Sequence, residues 1–378
     1  MNRTANLIYA SLFCLLLVAL SLWSLRGAFS YAAPEKITVL NGKLTHSFEK
    51  HYDEQFPIKQ VSTNLWALAD YVLFGEGRQG LVIGENGWLF SDEEFDPVAD
   101  GQNQVRDNLA LIRGVRDELA RHDVKLMLAI VPAKTRLYPE YLGDSQPNAL
   151  HRDLYAQFRG AAQQADILAP DLLAPLEQAK GNGQVFLRTD THWTPFGAEV
   201  VAAHLGAAAR QAIPLAGDEQ NYVTEVVADE PYKGDLTRFL PLDPLFADLM
   251  PTPDTLQRRE TRSASEENAD ALFADSELPV TLVGTSYSAN PNWNFAGALR
   301  QSLKRDLANH AEEGQGPLVP MLKYLQSDEL KNNPPQLVIW EFPERYLPMA
   351  GDLKDFDPNW LAALKADGEQ QKLAANSR

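Results

Sequence analysis

Lys125-Leu126-Met127-Leu128-Ala129-Ile130-Val131 becomes an unbroken apolar run after its first residue, has the length of a strand, and is stopped by Pro132. A strand without polar alternation is covered on both faces, as the strands of parallel sheets are. The residues before it read differently. Val105, Leu109, Leu111, Ile112, Val115 and Leu119 return at helical spacing up to His122, which predicts an amphipathic helix. A helix delivering the chain into a doubly covered strand is the repeating step of an α/β sandwich.

The step recurs toward the carboxyl end. A helix is expected near Leu154 to Gln164, followed by the apolar pair Ile167-Leu168 and a strand-like Gln184 to Leu187 that runs into Asp190-Thr191-His192-Trp193. Thr194 suits an N-cap and Pro195 the first helical position, while Val200, Val201, His204 and Leu205 carry a helical period onward. Asp-Thr-His-Trp therefore falls on a strand-to-helix loop. Leu278 to Val283 is a further strand, Gly284-Thr285-Ser286-Tyr287-Ser288 a second such loop, Phe295 to Ala308 a helix and Leu337 to Trp340 a last strand. The expectation is an α/β fold on a mostly parallel sheet, whose ligands bind in loops beyond the carboxyl ends of the strands. Toward the amino end, Asn86-Gly87 between Leu81-Val82-Ile83 and Trp88-Leu89-Phe90 is a hairpin signal. Residues 216–277 are acidic, rich in proline and aromatics and without helical period, and read as an irregular excursion. The tail from Ala362 is polar and is expected to fray.

The 378 residues hold 51 acidic and 34 basic side chains, a formal charge of −17, which excludes a general nucleic-acid binder. With 45% hydrophobic and 22% charged residues the chain is globular rather than disordered or fibrous. Its one cysteine, Cys14, excludes an intramolecular disulfide framework and a cysteine zinc site. Cys14 lies in an uncharged run from Leu7 to Leu25, flanked by Arg3 and closed by Trp23 and Arg26. Nineteen residues span about 28 Å as a helix, close to the thickness of a hydrocarbon core. An uncleaved signal anchor is the favoured reading, with the short amino-terminal tail inside; the competing reading is cleavage near Ser30-Tyr31-Ala32. Both export everything after residue 34.

Two loops carry the chemistry. One holds Asp190 and His192, the other Ser286 and Ser288. Acyl transfer needs a hydroxyl whose proton can pass to imidazole, and a carboxylate that fixes the imidazole tautomer. Gly284 permits a sharp turn before the serines, the turn's backbone N–H groups would face a developing oxyanion, and Asn290 and Asn294 are candidate side-chain donors. Each loop alone also has a plain structural reading as turn and cap chemistry. A metal reading of Asp190 and His192 lacks a third ligand at recognisable spacing.

Asp190-Thr191-His192-Trp193 followed by Gly284-Thr285-Ser286-Tyr287-Ser288 resembles the SGNH-hydrolase-like acetyltransferases of bacterial exopolysaccharide export, the AlgX/AlgJ family. Gly84 to Phe90 (GENGWLF), Val131 to Glu140 (VPAKTRLYPE) and Trp340 to Leu347 (WEFPERYL) extend the likeness over roughly residues 75 to 350. The resemblance implies a three-layer SGNH sandwich with an N-terminal membrane anchor helix. The divisions it implies are a signal anchor and linker (1–34), a membrane-proximal segment (35–74), an acetyltransferase domain (75–350, with the excursion 216–277) and a polar tail (351–378). The retained anchor, and a carboxyl end with no room for the carbohydrate-binding module of the X branch, point to the J branch. Two departures from most SGNH hydrolases stand out: the Asp/His loop precedes the serine loop, and one residue rather than two separates Asp190 from His192. The family pattern Gly-x-Ser equates Ser286 with the nucleophile, with Ser288 as the alternative.

The implied activity is O-acetylation of mannuronate hydroxyls of alginate in the periplasm of a Gram-negative bacterium, or relay of the acetyl group to a periplasmic AlgX-like transferase. The acetyl source implied is a multi-pass, AlgI-like acyltransferase of the inner membrane, and no soluble cofactor or metal is expected. An acetyl esterase of an exported polysaccharide and a membrane-tethered assembly scaffold are the alternatives. Alginate is a polyanion and so is this chain, so long-range attraction is absent. Lys134, Arg136 and Arg188, with Arg300, Lys304 and Arg305, are the candidate basic contacts.

Overall fold

A computed structural model describes residues 3–34, 41–264 and 278–375. The expected linker at 35–40, part of the excursion at 265–277 and the last three residues of the tail lie outside the described residues. The chain forms two compact units, Met1–Arg78 with Arg238–Met250, and Gln79–Thr237 with Pro251–Arg378.

The first unit holds helices α1 (Arg3–Phe29), α2 (Lys43–Glu54) and α3 (Pro57–Phe74). Helix α1 is long and apolar enough to cross a membrane, and Leu12, Phe13, Leu15 and Leu16 stand exposed on it. Helix α3 ends at Gly75, whose φ of 67° is the left-handed turn that glycine adopts without cost.

In the second unit, β1 (Val82–Ile83) and β2 (Leu89–Phe90) pair antiparallel around Asn86 and Gly87, both at positive φ, so the hairpin expected there forms. Helix α4 (Gly101–Ala120) leads into β3 (Lys125–Val131), and α5 (Ala149–Gln164) and α6 (Pro195–Ala212) follow. The excursion contributes β4 (Tyr222–Tyr232) and β5 (Asp254–Ser263). Strand β6 (Val280–Val283), helix α7 (Phe295–Leu303), β7 (Leu307–Asn309), α8 (Leu318–Gln326), β8 (Leu337–Pro343) and α9 (Pro358–Ala375) complete it. Among the described residues the central sheet has the order β3-β8-β6-β7, all parallel. Alternate side chains of its strands feed two cores. Met127, Ala129, Leu282 and Ile339 pack with Val201, Leu205 and Leu299 of α6 and α7. Leu128, Ile130, Val338 and Trp340 pack with Ile112, Val115, Phe158 and Leu322 of α4, α5 and α8. This is the expected three-layer α/β sandwich, and it explains why Leu126 to Val131 lacks alternation: both faces are buried.

Four expectations need correction. Gln184 to Leu187 joins no ladder strand; the segment folds back on Trp193 and Thr194, with Leu187 N bonded to His192 O at 3.1 Å and Thr194 N to Val185 O at 3.0 Å. Its apolar residues are buried in the core, and burial alone had mimicked a strand. The helix from Phe295 stops at Leu303, because Lys304 is left-handed at φ 53°, and the chain re-enters the sheet as β7. Part of the excursion is regular: β4 and β5 form a long antiparallel ribbon from Tyr222↔Ser263 to Tyr232↔Asp254, mostly facing solvent and therefore without apolar alternation, while residues 233–253 between them hold only short helical turns. The tail does not fray at Ala362. Helix α9 crosses α4 at Gly114, where a Cβ would lie 1.9 Å from Leu364 O, so glycine lets the two backbones touch.

Candidate active site

Ser286 opens a helical turn, Ser286–Ala289, immediately past the carboxyl end of β6. Thr285 caps the turn, its hydroxyl accepting from Tyr287 N. Asp190 and His192 stand on the loop that enters α6, where Thr194 is the N-cap and accepts from Gly197 N at 3.0 Å. The two loops meet. Ser286 Oγ is 2.7 Å from His192 Nε2, and His192 Nδ1 is 2.6 Å from Asp190 Oδ1. A carboxylate only accepts, so Nδ1 carries the proton and Nε2 turns a lone pair to the serine hydroxyl. Asp190 is fully buried and His192 nearly so, whereas Ser286 keeps partial exposure.

Burial pushes the Asp190 carboxyl upward, but its bond and charge interaction with His192, and the amides of Asp235 and His192, outweigh that and hold it at about 2. Oδ1 accepts from His192 N at 2.9 Å; Oδ2 accepts from Asp235 N at 2.8 Å and from Tyr232 Oη at 3.1 Å. Every lone pair of the anion faces a donor, which is the condition for a carboxylate to stay charged without water. The imidazole is set from both sides. Trp293 stacks on it at 5.1 Å and 22°, Tyr287 lies at 4.6 Å, and Trp293 Nε1 returns to Ser286 O at 3.1 Å. Arg345 Nη1 donates to Tyr287 Oη at 3.0 Å and pairs with Glu93 at 2.9 Å, fixing the tyrosine.

The serine turn rests on another carboxylate. Glu341 of β8 accepts from Thr285 N at 2.7 Å, Thr285 Oγ1 at 3.0 Å and Ser288 Oγ at 3.1 Å. Burial lifts its carboxyl to about 7, against the lowering pull of these bonds. Ser288 thus faces Glu341, away from His192, and the imidazole meets Ser286. Gly284 is where the two pieces touch: a Cβ there would lie 2.5 Å from Glu341 Oε2.

Several expected site residues have other partners. Lys134 points inward; it is buried at 1% exposure, with Nζ donating to Leu89 O at 2.6 Å and to Arg188 O and Asp190 O at 2.9 Å each. Three N–H donors meet three carbonyls, which offsets the cost of burying an ammonium whose pKa burial lowers to about 8. Arg136 is engaged by Glu344, Arg152 O and His151 O, and Arg188 by Thr252 and Asp254. Arg300 pairs with Asp306, Lys304 with Glu219, and Arg305 holds Ala216 O. Asn290 accepts from Asn292 N at 2.9 Å and Asn294 donates to Thr261 Oγ1 at 2.8 Å, so both brace the loop beyond the turn.

Residues missed in the sequence come from the excursion and from β8. Tyr232 and Asp235 bond Asp190 or its neighbour Thr191, and Asp254 clasps Thr189 through its amide and hydroxyl at 2.8 and 2.6 Å. No spacing marked them, because they reach the site through the ribbon. Glu341 had a signal: a glutamate inside the apolar stretch Leu337 to Phe342 needs buried partners. Asp235 also supplies the third group that the sequence lacked for a metal reading. Candidate ligand atoms of Asp190, His192 and Asp235 lie within 4.8 Å of one another. They are engaged with each other and with Thr191: Nδ1 on Asp190, and Asp235 Oδ2 on Thr191 Oγ1 at 2.7 Å. A cation would displace the proton that ties His192 to Asp190.

The sandwich with its two loops defines an SGNH-hydrolase-like domain. A family profile described as "SGNH hydrolase-like domain, acetyltransferase AlgX" matches residues 81–344. The chain is 60% identical over 380 residues to "Probable alginate O-acetylase AlgJ" of Azotobacter vinelandii, covering 100% of this chain and 98% of that one. It is 58% identical over 381 residues to the protein of the same name in Pseudomonas syringae pv. tomato, covering 100% and 97%. Among solved structures, "O-Acetyltransferase Domain of Pseudomonas putida AlgJ" superimposes with a TM-score of 0.71 at 59% identity, over 76% of this chain and 99% of that domain. The chain belongs to the AlgX/AlgJ family of SGNH-like O-acetyltransferases.

Proposed function

We propose that this protein O-acetylates alginate, placing acetyl groups on mannuronate hydroxyls through an acetyl-serine intermediate on Ser286. The observation that carries the mechanism is the continuous relay from Ser286 Oγ through His192 to Asp190; the names of the full-length relatives support the substrate. In the first step Ser286 Oγ attacks the donor's acyl carbon while His192 Nε2 takes the hydroxyl proton. Asp190 stabilises the imidazolium, and collapse expels the donor's leaving group, which receives that proton. A sugar hydroxyl then attacks the acetyl carbon and gives its proton to Nε2; the bond from that carbon to Ser286 Oγ breaks, and Oγ takes the proton back from Nε2, restoring the serine. The Ser286 amide, first in its turn, has no carbonyl partner within that turn and is the candidate donor to the oxyanion.

In this reading α1 is an uncleaved anchor in the inner membrane, residues 75–350 form the periplasmic transfer domain, and an AlgI-like membrane acyltransferase supplies the acetyl group. The test is intact-mass analysis of the detergent-solubilised full chain after incubation with an activated acetyl ester. The expected result is a slowly turning over acetyl adduct in wild type that disappears in Ser286→Ala and His192→Ala and persists in Ser288→Ala. No adduct and no acetate release in wild type would remove the reading.

One observation favours the relay form, in which a second transferase delivers acetyl to the polymer. The six basic side chains expected to hold a polyanion already hold acidic side chains or backbone carbonyls. Titration with defined mannuronate oligomers at rising salt separates the two. Tight, salt-sensitive binding supports direct transfer; absence of binding beside an intact acetyl adduct supports relay.

A further inference from the structure

Helix α3 is two-faced in an unusual sense. Its anchored face is polar in part: Asn64 is 1% exposed, and its Nδ2 donates to Pro241 O at 2.6 Å and Asp243 O at 2.7 Å, beside buried Ala67. The next face round the helix is apolar. Val61, Leu65, Leu68 and Val72 recur at steps of four, three and four, which places them in one stripe, with Trp66 and Leu73 on its flank. Leu65 is 52% exposed, Val72 62% and Trp66 74%. An apolar stripe of this length turned outward marks an interaction surface.

Its level relative to α1 identifies what covers it. Helix α2 packs antiparallel on the last two turns of α1: Tyr52 Oη donates to Ser24 Oγ at 3.0 Å, a Cβ on Gly27 would lie 3.1 Å from Gln55 Cβ, and Ser30 Oγ is 2.9 Å from His51 Nε2. Tyr31 meets Phe48 edge-on at 5.3 Å. The carboxyl end of α2 is therefore level with Ser24 to Gly27, where the uncharged run of α1 ends beside Trp23 and Arg26. Tryptophan and arginine at that point are the usual markers of the lipid–water boundary. Helix α3 begins two residues after Gln55 and touches α1 in its own right.

We infer that α3 lies in the membrane surface as an interfacial helix, with Val61, Leu65 and Val72 turned to the acyl chains, the half-buried Leu68 between them, and Trp66 at headgroup depth. The occupant of the stripe is lipid, because the stripe starts at the boundary that α1 itself sets. The inference rests on the reading of α1 as a bilayer-spanning anchor. It gives the chain a second, peripheral hold on the membrane, as amphipathic surface helices provide.

The full chain in nanodiscs of unmodified or chain-brominated phospholipid tests this. Three single-bimane proteins are compared: wild type labelled at Cys14, Cys14→Ser with Leu65→Cys, and Cys14→Ser with Gln60→Cys, an exposed position of α3 off the stripe. Leu65 is exposed, so its replacement leaves packing intact. The expected result is that brominated lipid lowers emission at Cys14 and at position 65 by roughly half or more, and at position 60 by less than about a tenth. Quenching at Cys14 without quenching at position 65 would overturn the interfacial helix while keeping the anchor, and would leave the stripe to a protein partner. Equal quenching at 60 and 65 would mean that α3 is immersed without orientation, which also overturns it. No quenching at Cys14 would remove the anchor and the inference with it.

Discussion

Two carboxylates lie buried beneath the two loops of the site, and they are held in opposite ways. Asp190, behind His192, sits at about 2; Glu341, behind the Ser286 turn, sits at about 7. Both are fully withdrawn from water and both accept several hydrogen bonds. The difference lies in the partner. Asp190 faces an imidazole that can become a cation, together with three further donors. Glu341 faces one amide and two hydroxyls, and Arg345 adds a weaker attraction. Burial therefore wins at Glu341 and loses at Asp190. In the proposed mechanism the first group would meet the charge that appears on His192, whereas the second braces a turn.

Breaking the Asp190 side has the largest expected effect. Asparagine offers one acceptor where Asp190 uses both oxygens, so in either flip an N–H₂ group meets donors. With that group toward His192, Nδ1 loses its acceptor and the ring adopts the tautomer with a proton on Nε2, facing Ser286. Asp190→Asn should lower kcat for acetyl transfer by about 10³–10⁴-fold, the loss typical of a serine triad's acid. Its measurement is steady-state turnover of an activated acetyl ester, with a thermal melt to show that the fold persists. A fall of less than tenfold would place Asp190 outside the mechanism and make its contacts purely structural.

At Gly284 the two halves of the comparison can be pulled apart. A methyl group there must push Glu341 or the serine turn aside, since neither the 2.5 Å approach to Oε2 nor the 2.9 Å approach to Glu341 Cβ is tolerable. Gly284→Ala should cost about 1–3 kcal/mol of stability, as overpacking does, and lower turnover by at least roughly tenfold by displacing Ser286 from His192. Urea unfolding and turnover on the same preparation check it.

The difference between the two carboxylates also marks what the sequence could reveal. Asp190, His192 and Ser286 were readable because each lies on a loop between an apolar segment and a capped helix, with Thr194-Pro195 announcing α6 and Gly284 announcing the serine turn. The parallel sheet was readable because doubly buried strands have no alternation. Tyr232, Asp235 and Asp254 were not, because the ribbon that delivers them is solvated and carries no period. The surroundings of the basic candidates were hidden for a related reason: charge is visible in a sequence, but its partner is not. Lys134 looked like a surface cation and is instead the bracket that gathers Leu89, Arg188 and Asp190 through their carbonyls. Helix α9 was lost because polar residues crowd its sequence beyond Leu364 and its fit depends on Gly114, a residue whose meaning appears only when Leu364 lies against it.

Acid–base titration of stability separates the two carboxylates without removing either. Glu341 rises from an ordinary 4.5 to about 7, so the folded state binds its proton more tightly than the unfolded one. Its favourable contribution is complete below about 4.5 and is lost as pH climbs through 7, on the order of 3 kcal/mol in all. Asp190 is depressed from 3.8 to about 2, so its contribution is present above 3.8 and is lost as pH falls toward 2. The windows do not overlap. Urea unfolding between pH 4.5 and 7 should show wild type losing stability through Glu341, and Glu341→Gln, which imitates the protonated form, flattening that part of the curve. An unchanged slope in the variant would mean that Glu341 is ionised throughout.

The smallest expected effect is at Ser288, and it sharpens the assignment of the nucleophile. Ser288 Oγ gives Glu341 one of the bonds that favour its charged form. Ser288→Ala removes that bond, so the stability loss attributed to Glu341 should move to higher pH, with a general cost of about 1 kcal/mol. The hydroxyl does not face His192, so acetyl-adduct formation and turnover should remain within about threefold of wild type. The two readouts answer different questions. A displaced pH midpoint with intact adduct places Ser288 on the Glu341 side of the comparison. Loss of the adduct in Ser288→Ala, with retention in Ser286→Ala, would reverse the roles of the two serines and require the turn to rotate by the distance that now separates Ser288 from the imidazole.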